Sequence, residues 1–239
     1  MIKRLGKSII ELLLPRQCAG CGQALALDEE MVCVECLKSL PWETNHDWTF
    51  NPRMVLADQH PCVDRIGALM RYRRDNIAAN IVRNLKFHHH YELGPWMGRL
   101  AVQQLQQTGL FDGVQVLVPI PLTRRRQRSR GFNQAEWIAN GMAEELGLEV
   151  KTDMLRRRFD RESQTHFSYE ERMENVRDVF NCTEHAEELA RKHVMLVDDV
   201  MTTGATMAYA VAALEHIEGL RISVFAWAWL PHPPTTTAS

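Results

Sequence analysis

Short apolar runs alternate along the chain with longer segments whose apolar residues recur every three or four positions, the pattern of an α/β protein. Val194 to Val197 is an unbroken apolar run that suits a short strand buried on both faces. Asp198 and Asp199 follow, then the small, hydroxyl-rich stretch Thr202-Thr203-Gly204-Ala205-Thr206. From Met207 to Ile217 the spacing of Ala208, Val211, Ala212 and Glu215 predicts a helix, stopped by Gly219. Val114 to Pro121 reads as a second apolar strand ended by two prolines, Val63 to Tyr72 as another, and Arg221 to Leu230 as the last. Asp75 can cap a helix carrying Ile77, Ile81, Val82 and Leu85 on one face. Glu92 to Gln107 predicts a second helix, with Pro95 tolerated in its first turn. Asn133 to Leu146 predicts a third, with Trp137, Ile138, Met142 and Leu146 as its apolar stripe. The polar segment from Met154 to Phe180 predicts a lid over a site, with Ser163-Gln164-Thr165 as a turn and Ser168 capping a helix through Glu171, Arg172 and Asn175. Residues 41–60 read as a linker, 183–193 as an acidic surface connection, and 231–239 as a disordered tail.

With 239 residues there is room for one medium α/β domain and a small appendage. The composition, 45% hydrophobic and 24% charged, is that of a soluble globular protein. A formal net charge of -2 gives no global argument for nucleic-acid binding, so that function has to rest on local patches. No apolar run reaches the ~18 residues of a membrane span. Ile9, Ile10, Leu12, Leu13 and Leu14 after Lys3, Arg4 and Lys7 resemble a signal peptide only superficially, because Glu11 interrupts the short run and no small-residue cleavage site follows. The expectation is an amphipathic helix in a cytoplasmic protein, weak peripheral attachment to the inner membrane being the alternative. Three adjacent histidines, His88 to His90, cannot all face one ion on a regular element and read as an exposed polar turn.

Cys18-x2-Cys21 and Cys33-x2-Cys36 stand eleven residues apart, and two such knuckles complete a tetrahedral sulfur site. A structural Zn2+ is expected there; an iron–sulfur site takes the same ligands, and a redox pair would explain only one half. Cys62 and Cys182 read as ordinary small apolar residues.

A strand ending in a loop that opens a helix directs free amides and the positive end of the helix dipole at the loop's occupant. Three threonine hydroxyls add donors, and Gly204 permits close backbone approach. The carboxylates upstream repel phosphate but suit sugar hydroxyls or magnesium. A phosphate cradle beside such a pair describes a phosphorylated ribose. The whole stretch, VMLVDDVMTTGAT, resembles the phosphoribosyl-diphosphate (PRPP) motif of type I phosphoribosyltransferases, and every position of that pattern is filled.

Five arginines occupy seven positions after the second strand: Arg124, Arg125, Arg126, Arg128 and Arg130. A solvated face is the ordinary reading of a charge run. Their place after a strand's carboxyl end, with no acidic residue between Gly113 and Ala135, points instead to phosphate or diphosphate oxygens. The same cluster, and a second one at Arg156, Arg157, Arg158 and Arg161, suits a nucleic-acid backbone.

Taken together, the apolar start, paired cysteines, Leu85-Lys86-Phe87, VPIPL with its arginines, Arg130-Gly131-Phe132-Asn133-Gln134, Arg161-x2-Gln164-Thr165, Glu171-Arg172-x2-Asn175-Val176 and the PRPP-like stretch resemble the ComF family, competence protein F and its relatives. The resemblance covers about residues 9 to 230. It implies a zinc finger-like module of four cysteines with a helix and linker over residues 1–60, joined to a type I phosphoribosyltransferase fold over 61–230: an open, mostly parallel sheet flanked by helices. It also implies natural transformation as the setting, with single-stranded DNA and other DNA-uptake proteins at the inner membrane as partners.

For catalysis the resemblance implies Asp198 and Asp199 on the ribose hydroxyls, directly or through Mg2+, and Thr202, Thr203, Gly204, Ala205 and Thr206 on the 5′-phosphate. Arg124, Arg125 and Lys86, with Mg2+, would stabilise the leaving diphosphate. Arg124, Arg125, Arg126, Arg128, Arg130, Arg156, Arg157 and Arg158 would serve DNA. Position 202, a carboxylate in purine-salvage enzymes that serves the incoming base, is threonine here, so the motif is closer to the orotate or ribose-phosphate type and names no general base. Three functions stay open: a DNA-uptake factor, an active phosphoribosyltransferase with a nitrogen acceptor, and a PRPP-sensing regulator without turnover.

Overall fold

The computed structural model describes residues 15–44, 60–87, 91–158 and 179–230. The amphipathic N-terminal helix, the triple histidine, most of the linker, Arg161, the Ser163-Gln164-Thr165 turn, the helix expected after Ser168 and the tail fall outside them. Five parallel strands form the main sheet: β1 (Val63–Arg71), β2 (Val116–Pro119), β3 (Glu149–Val150), β6 (His193–Met201) and β7 (Arg221–Trp229), in the order β1-β7-β6-β2-β3. A separate antiparallel ribbon pairs β4 (Leu155–Arg157) with β5 (Phe180–Cys182).

β6 is the axis of the sheet, hydrogen-bonded to β7 on one side and β2 on the other. Side chains alternate along it, Met195 and Val197 entering one core and Val194 and Leu196 the other, which is why its sequence is a continuous apolar run. Helices α2 (Ile77–Phe87), α3 (Leu93–Leu105) and α5 (Gln134–Leu146) contribute to the first core; α6 (Ala205–Leu214) and the ribbon contribute to the second.

The strand expected to stop at Val197 continues to Met201, because Asp198, Val200 and Met201 keep pairing with Ala226, Ala228 and Trp229. The two carboxylates are therefore strand residues. The arginine segment is a helix, α4 (Arg124–Arg130), opened by the Thr123 side chain accepting from the Arg126 N–H and closed by Gly131 at φ 80°. Arginine propagates a helix well. Asn76 rather than Asp75 caps α2: its Oδ1 accepts from the Ala79 N–H at 3.0 Å, while Asp75 pairs with Arg73 at 3.2 Å. The lid segment begins and ends in the ribbon, which its polarity did not predict. Trp137 is half-buried against Tyr91 and Phe132, at 5.7 and 6.0 Å between ring centroids.

The cysteine module includes a short helix, α1 (Val34–Lys38), and shares the first core: Cys18, Ala19, Val32, Cys36 and Leu40 are buried in the same cluster as Ile81, Leu85 and Trp227. Beyond the module Trp42 bridges antiparallel to Met70 of β1. The buried Glu43 accepts from Arg71 at 3.1 Å and from the Trp229 indole at 2.6 Å, so its charge is paired where it is dry.

Helices α3 and α5 touch backbone to backbone. A Cβ at Gly98 would lie 2.1 Å from the Ile138 carbonyl oxygen, and one at Gly141 would lie 2.1 Å from that of Pro95. Neither neighbour is a flexible side chain that could move aside. Gly98→Val should therefore lower unfolding free energy by about 3 kcal/mol or more, at the upper end of overpacking costs, as measured by urea titration. An unchanged midpoint would contradict this close approach.

Candidate active site

The carboxyl ends of β2 and β6 lie side by side, with Pro119 opposite Val197. From β2 the chain goes on to β3 at one edge, and from β6 to β7 on the other side, so these two ends form a switch point in an open parallel sheet. Here the structure brings together Asp198 and Asp199 of β6, the 202–206 loop, Lys86 of α2, and the loop from β2 into α4.

Adjacent strand residues point to opposite faces, and the two aspartates have different partners. Asp199, buried, receives the Lys86 ammonium on both oxygens, at 3.0 and 2.9 Å. Asp198 accepts the Asp199 N–H at 2.8 Å. Burial first, and the neighbouring Asp199 charge second, push the Asp198 carboxyl up to about 7, with that N–H, Lys86 and Arg157 pulling the other way. Arg157 belongs to β4 and also sits over the Phe180 ring, 5.3 Å from its centroid. Its action on Asp198 places the ribbon beside the site. The spacing of charges in the chain carried no sign of this, since some forty residues separate the two.

The loop after β6 turns at Gly204, φ 79°, and a Cβ built there meets nothing within 4 Å. Thr202 and Thr203 are exposed, and Gly204, Ala205 and Thr206 are half-buried. Gly204, at the N-cap of α6, has no side chain to cap it; the Thr203 hydroxyl accepts from the Ala205 N–H at 3.4 Å. The first turn of a ten-residue helix thus opens onto a loop that carries the exposed Thr202 and Thr203 hydroxyls, an arrangement suited to an anion.

Helix geometry splits the arginine cluster. At 100° per residue Arg124, Arg125 and Arg128 share one face, and all three are exposed; Arg126 and Arg130 lie on the other and are half-buried. Arg130 donates to the Gln134 side chain at 2.7 Å. Among the described residues no carboxylate pairs with Arg124, Arg125 or Arg128. Arg156 and Arg158 are exposed on either side of Arg157.

The other sequence-predicted site also assembles. The sulfurs of Cys18, Cys21, Cys33 and Cys36 lie within 4.8 Å of one another. Tetrahedral zinc, with sulfurs at about 2.3 Å, sets sulfur–sulfur edges of about 3.8 Å. The separation of Cys21 and Cys33 is 3.8 Å. Backbone N–H groups of Gly20 and Cys33 point at the Cys18 sulfur at 3.3 and 3.2 Å. Burial raises that thiol, but hydrogen bonds from the Cys33, Cys21 and Gly20 N–H groups outweigh it and bring it down to about 7, favouring a thiolate at Cys18, while burial and the neighbouring sulfurs push Cys36 up. The donor set suits a closed structural zinc site.

The raised Asp198 carboxyl has a stability consequence. A group protonated more readily in the folded than in the unfolded chain stabilises folding at low pH, and that contribution is lost as pH rises from its ordinary value near 4 to about 7. Asp198→Asn keeps the acceptor and removes the charge. The variant should melt several degrees above wild type at about pH 8, and the gap should close towards about pH 5, as followed by circular dichroism. A gap that widens on acidification would overturn the sign.

Residues 133–228 match the phosphoribosyl transferase domain family. The DNA utilization protein YhgH of Salmonella typhimurium is 26% identical over 82% of this chain and 89% of its own length. Competence protein F of Haemophilus influenzae is 24% identical over 80% of both chains. Competence protein ComFC of Bacillus subtilis is 34% identical over 41% of this chain and 38% of its own length. The matched domain begins at the cap of α5, spans β6 with both aspartates and ends in β7, while the full-length relatives extend the similarity across most of the chain. With its parallel sheet, phosphoribosyl transferase domain and N-terminal tetracysteine cluster, the chain belongs to the ComF family.

Proposed function

We propose that this protein binds PRPP with Mg2+ at the carboxyl ends of β2 and β6, and that it serves DNA handling in competence by holding single-stranded DNA on its arginines. The observation that carries the first part is the placing of a carboxylate pair beside a helix N-terminus, opened by Gly204, at the end of one strand. Asp198 and Asp199 hold the ribose hydroxyls, directly or through Mg2+, and residues 202–206 hold the 5′-phosphate. Lys86 faces the diphosphate, and the exposed Arg124 and Arg125 are left to the DNA backbone. Mg2+ supplies charge neutralisation of diphosphate when bound. The names of the relatives, DNA utilization protein and competence protein, support the biological setting.

Turnover is the second reading, and one observation favours it. A carboxyl pushed up to about 7 exchanges protons readily near neutral pH, which supplies the base that Thr202 removed from the motif. The third alternative, a PRPP sensor, differs only in lacking turnover.

One titration and one assay separate these readings. Calorimetry with Mg2+ and PRPP should show binding to wild type and none to the Asp198→Asn, Asp199→Asn double variant, with unchanged circular dichroism. Equal affinity would remove the aspartates from the ribose site. Diphosphate release, assayed with and without single-stranded DNA, then distinguishes an enzyme from a binder.

The DNA surface is the exposed face of α4. Replacing Arg124, Arg125 and Arg128 with alanine should lower the slope of log affinity against log salt for an oligonucleotide by about 2, at about 0.7 per lost phosphate contact on a single strand. An unaltered slope places DNA elsewhere.

A further inference from the structure

Helix α2 makes polar contacts on two different sides. Asn80 and Asn84, one turn apart on one face, each donate a side-chain amide at 2.8 Å, Asn80 to the Gly20 carbonyl and Asn84 to that of Ala19. Those are the two residues between Cys18 and Cys21. Lys86, about 200° further round than Asn84, sets its ammonium against both Asp199 oxygens at 3.0 and 2.9 Å. The knuckle fits against the helix with no slack: a Cβ at Gly20 would meet the Cys36 sulfur and the Ile77 side chain, both at 2.9 Å. Cys18, Ala19 and Cys36 share a core with Ala78, Ile81, Val82 and Leu85 of the same helix.

A helix of three turns is about 16 Å long and moves as a unit, so whatever sets its rotation at Asn80 and Asn84 also sets where Lys86 reaches. Bonds from Cys18 and Cys21 to a metal would add to the knuckle's own hydrogen bonds in fixing the direction of the Ala19 and Gly20 carbonyls between them. We propose that the tetracysteine site is coupled through Asn80 and Asn84 to the Lys86–Asp199 pair, so that loss of its metal loosens the ligand site. Asn80 and Asn84 are positioning residues, acting through Lys86. The inference rests on the reading of Asp198 and Asp199 as the PRPP site only for its consequence, since the coupling itself is read without PRPP.

The test is amide hydrogen exchange by mass spectrometry on the full chain, with zinc and after chelation, followed at residues 80–87, 198–201 and 205–214. Chelation should speed exchange at 80–87 and 198–201 at least fivefold and leave α6, on the other core, within twofold. Asn84→Asp removes the donor while keeping its size and all four thiolates. It should retain one zinc per chain by elemental mass spectrometry, yet show faster exchange at 198–201 and three- to tenfold weaker binding of magnesium PRPP. In Lys86→Ala, chelation should add nothing further at 198–201, an outcome that a purely structural role for the knuckle does not produce. If chelation unfolds the whole chain, the zinc-loaded Asn84→Asp protein decides alone, and wild-type exchange at 198–201 in it overturns the coupling. Absence of PRPP binding by wild type with the exchange pattern intact sinks the ligand reading and leaves the coupling standing.

Discussion

A strand buried on both faces that ends in two adjacent carboxylates imposes most of what surrounds it. Alternation turns Asp198 and Asp199 in different directions at the strand's end, and Lys86 contacts Asp199. Each charge in so dry a place needs its own compensation. On one side α2 has to deliver Lys86 to Asp199; on the other the ribbon has to bring Arg157 towards Asp198. The compensation is unequal. Asp199 has an ammonium on both oxygens, whereas Asp198 has a backbone N–H and more distant help, and its carboxyl is held near neutrality as a result. The site is short of positive charge at Asp198.

The parts of this site that lie within one strand–loop–helix unit were legible in the sequence. Residue types at fixed offsets specify the apolar strand, the acidic pair, the glycine turn and the helix that follows, and the two cysteine knuckles specify their own geometry in the same way. What the sequence hid was contact between distant segments. Nothing in the spacing of Arg157 and Asp198, or of Asn84 and Ala19, marks them as neighbours; the packing of the ribbon into the second core brings the first pair together, and the packing of α2 the second. Local propensity also misled at Asp198, where pairing with β7 extends the strand past the point at which hydrophobicity stops. Burial on both faces is what an unbroken apolar run reports, and main-chain pairing continues without it.

The arginine cluster shows a different limit. As a string it offers five equivalent guanidinium groups, and as a loop all five could have faced one ligand. Coiled into α4 they cannot. Arg124, Arg125 and Arg128 look to solvent, while Arg126 and Arg130 turn inward and Arg130 is committed to Gln134. Periodicity turns one patch into two groups with separate work.

That division bears on which ligand the cleft can take. A bare polyanion laid across the carboxyl ends of β2 and β6 would bring phosphates against two aspartates, one of them already shifted because its charge is hard to accommodate. A phosphorylated sugar that brings hydroxyls and a divalent cation to the aspartates, and phosphates to α6 and the β2–α4 loop, meets every group in the cleft with its complement. The outer face of α4 differs, because no carboxylate lies between its arginines. The electrostatics therefore separate two surfaces: one of mixed charge at the switch point and a cationic one on the outer face of α4. The β2–α4 connection runs from one surface to the other, so a ligand seated at either end bears on the segment that serves both.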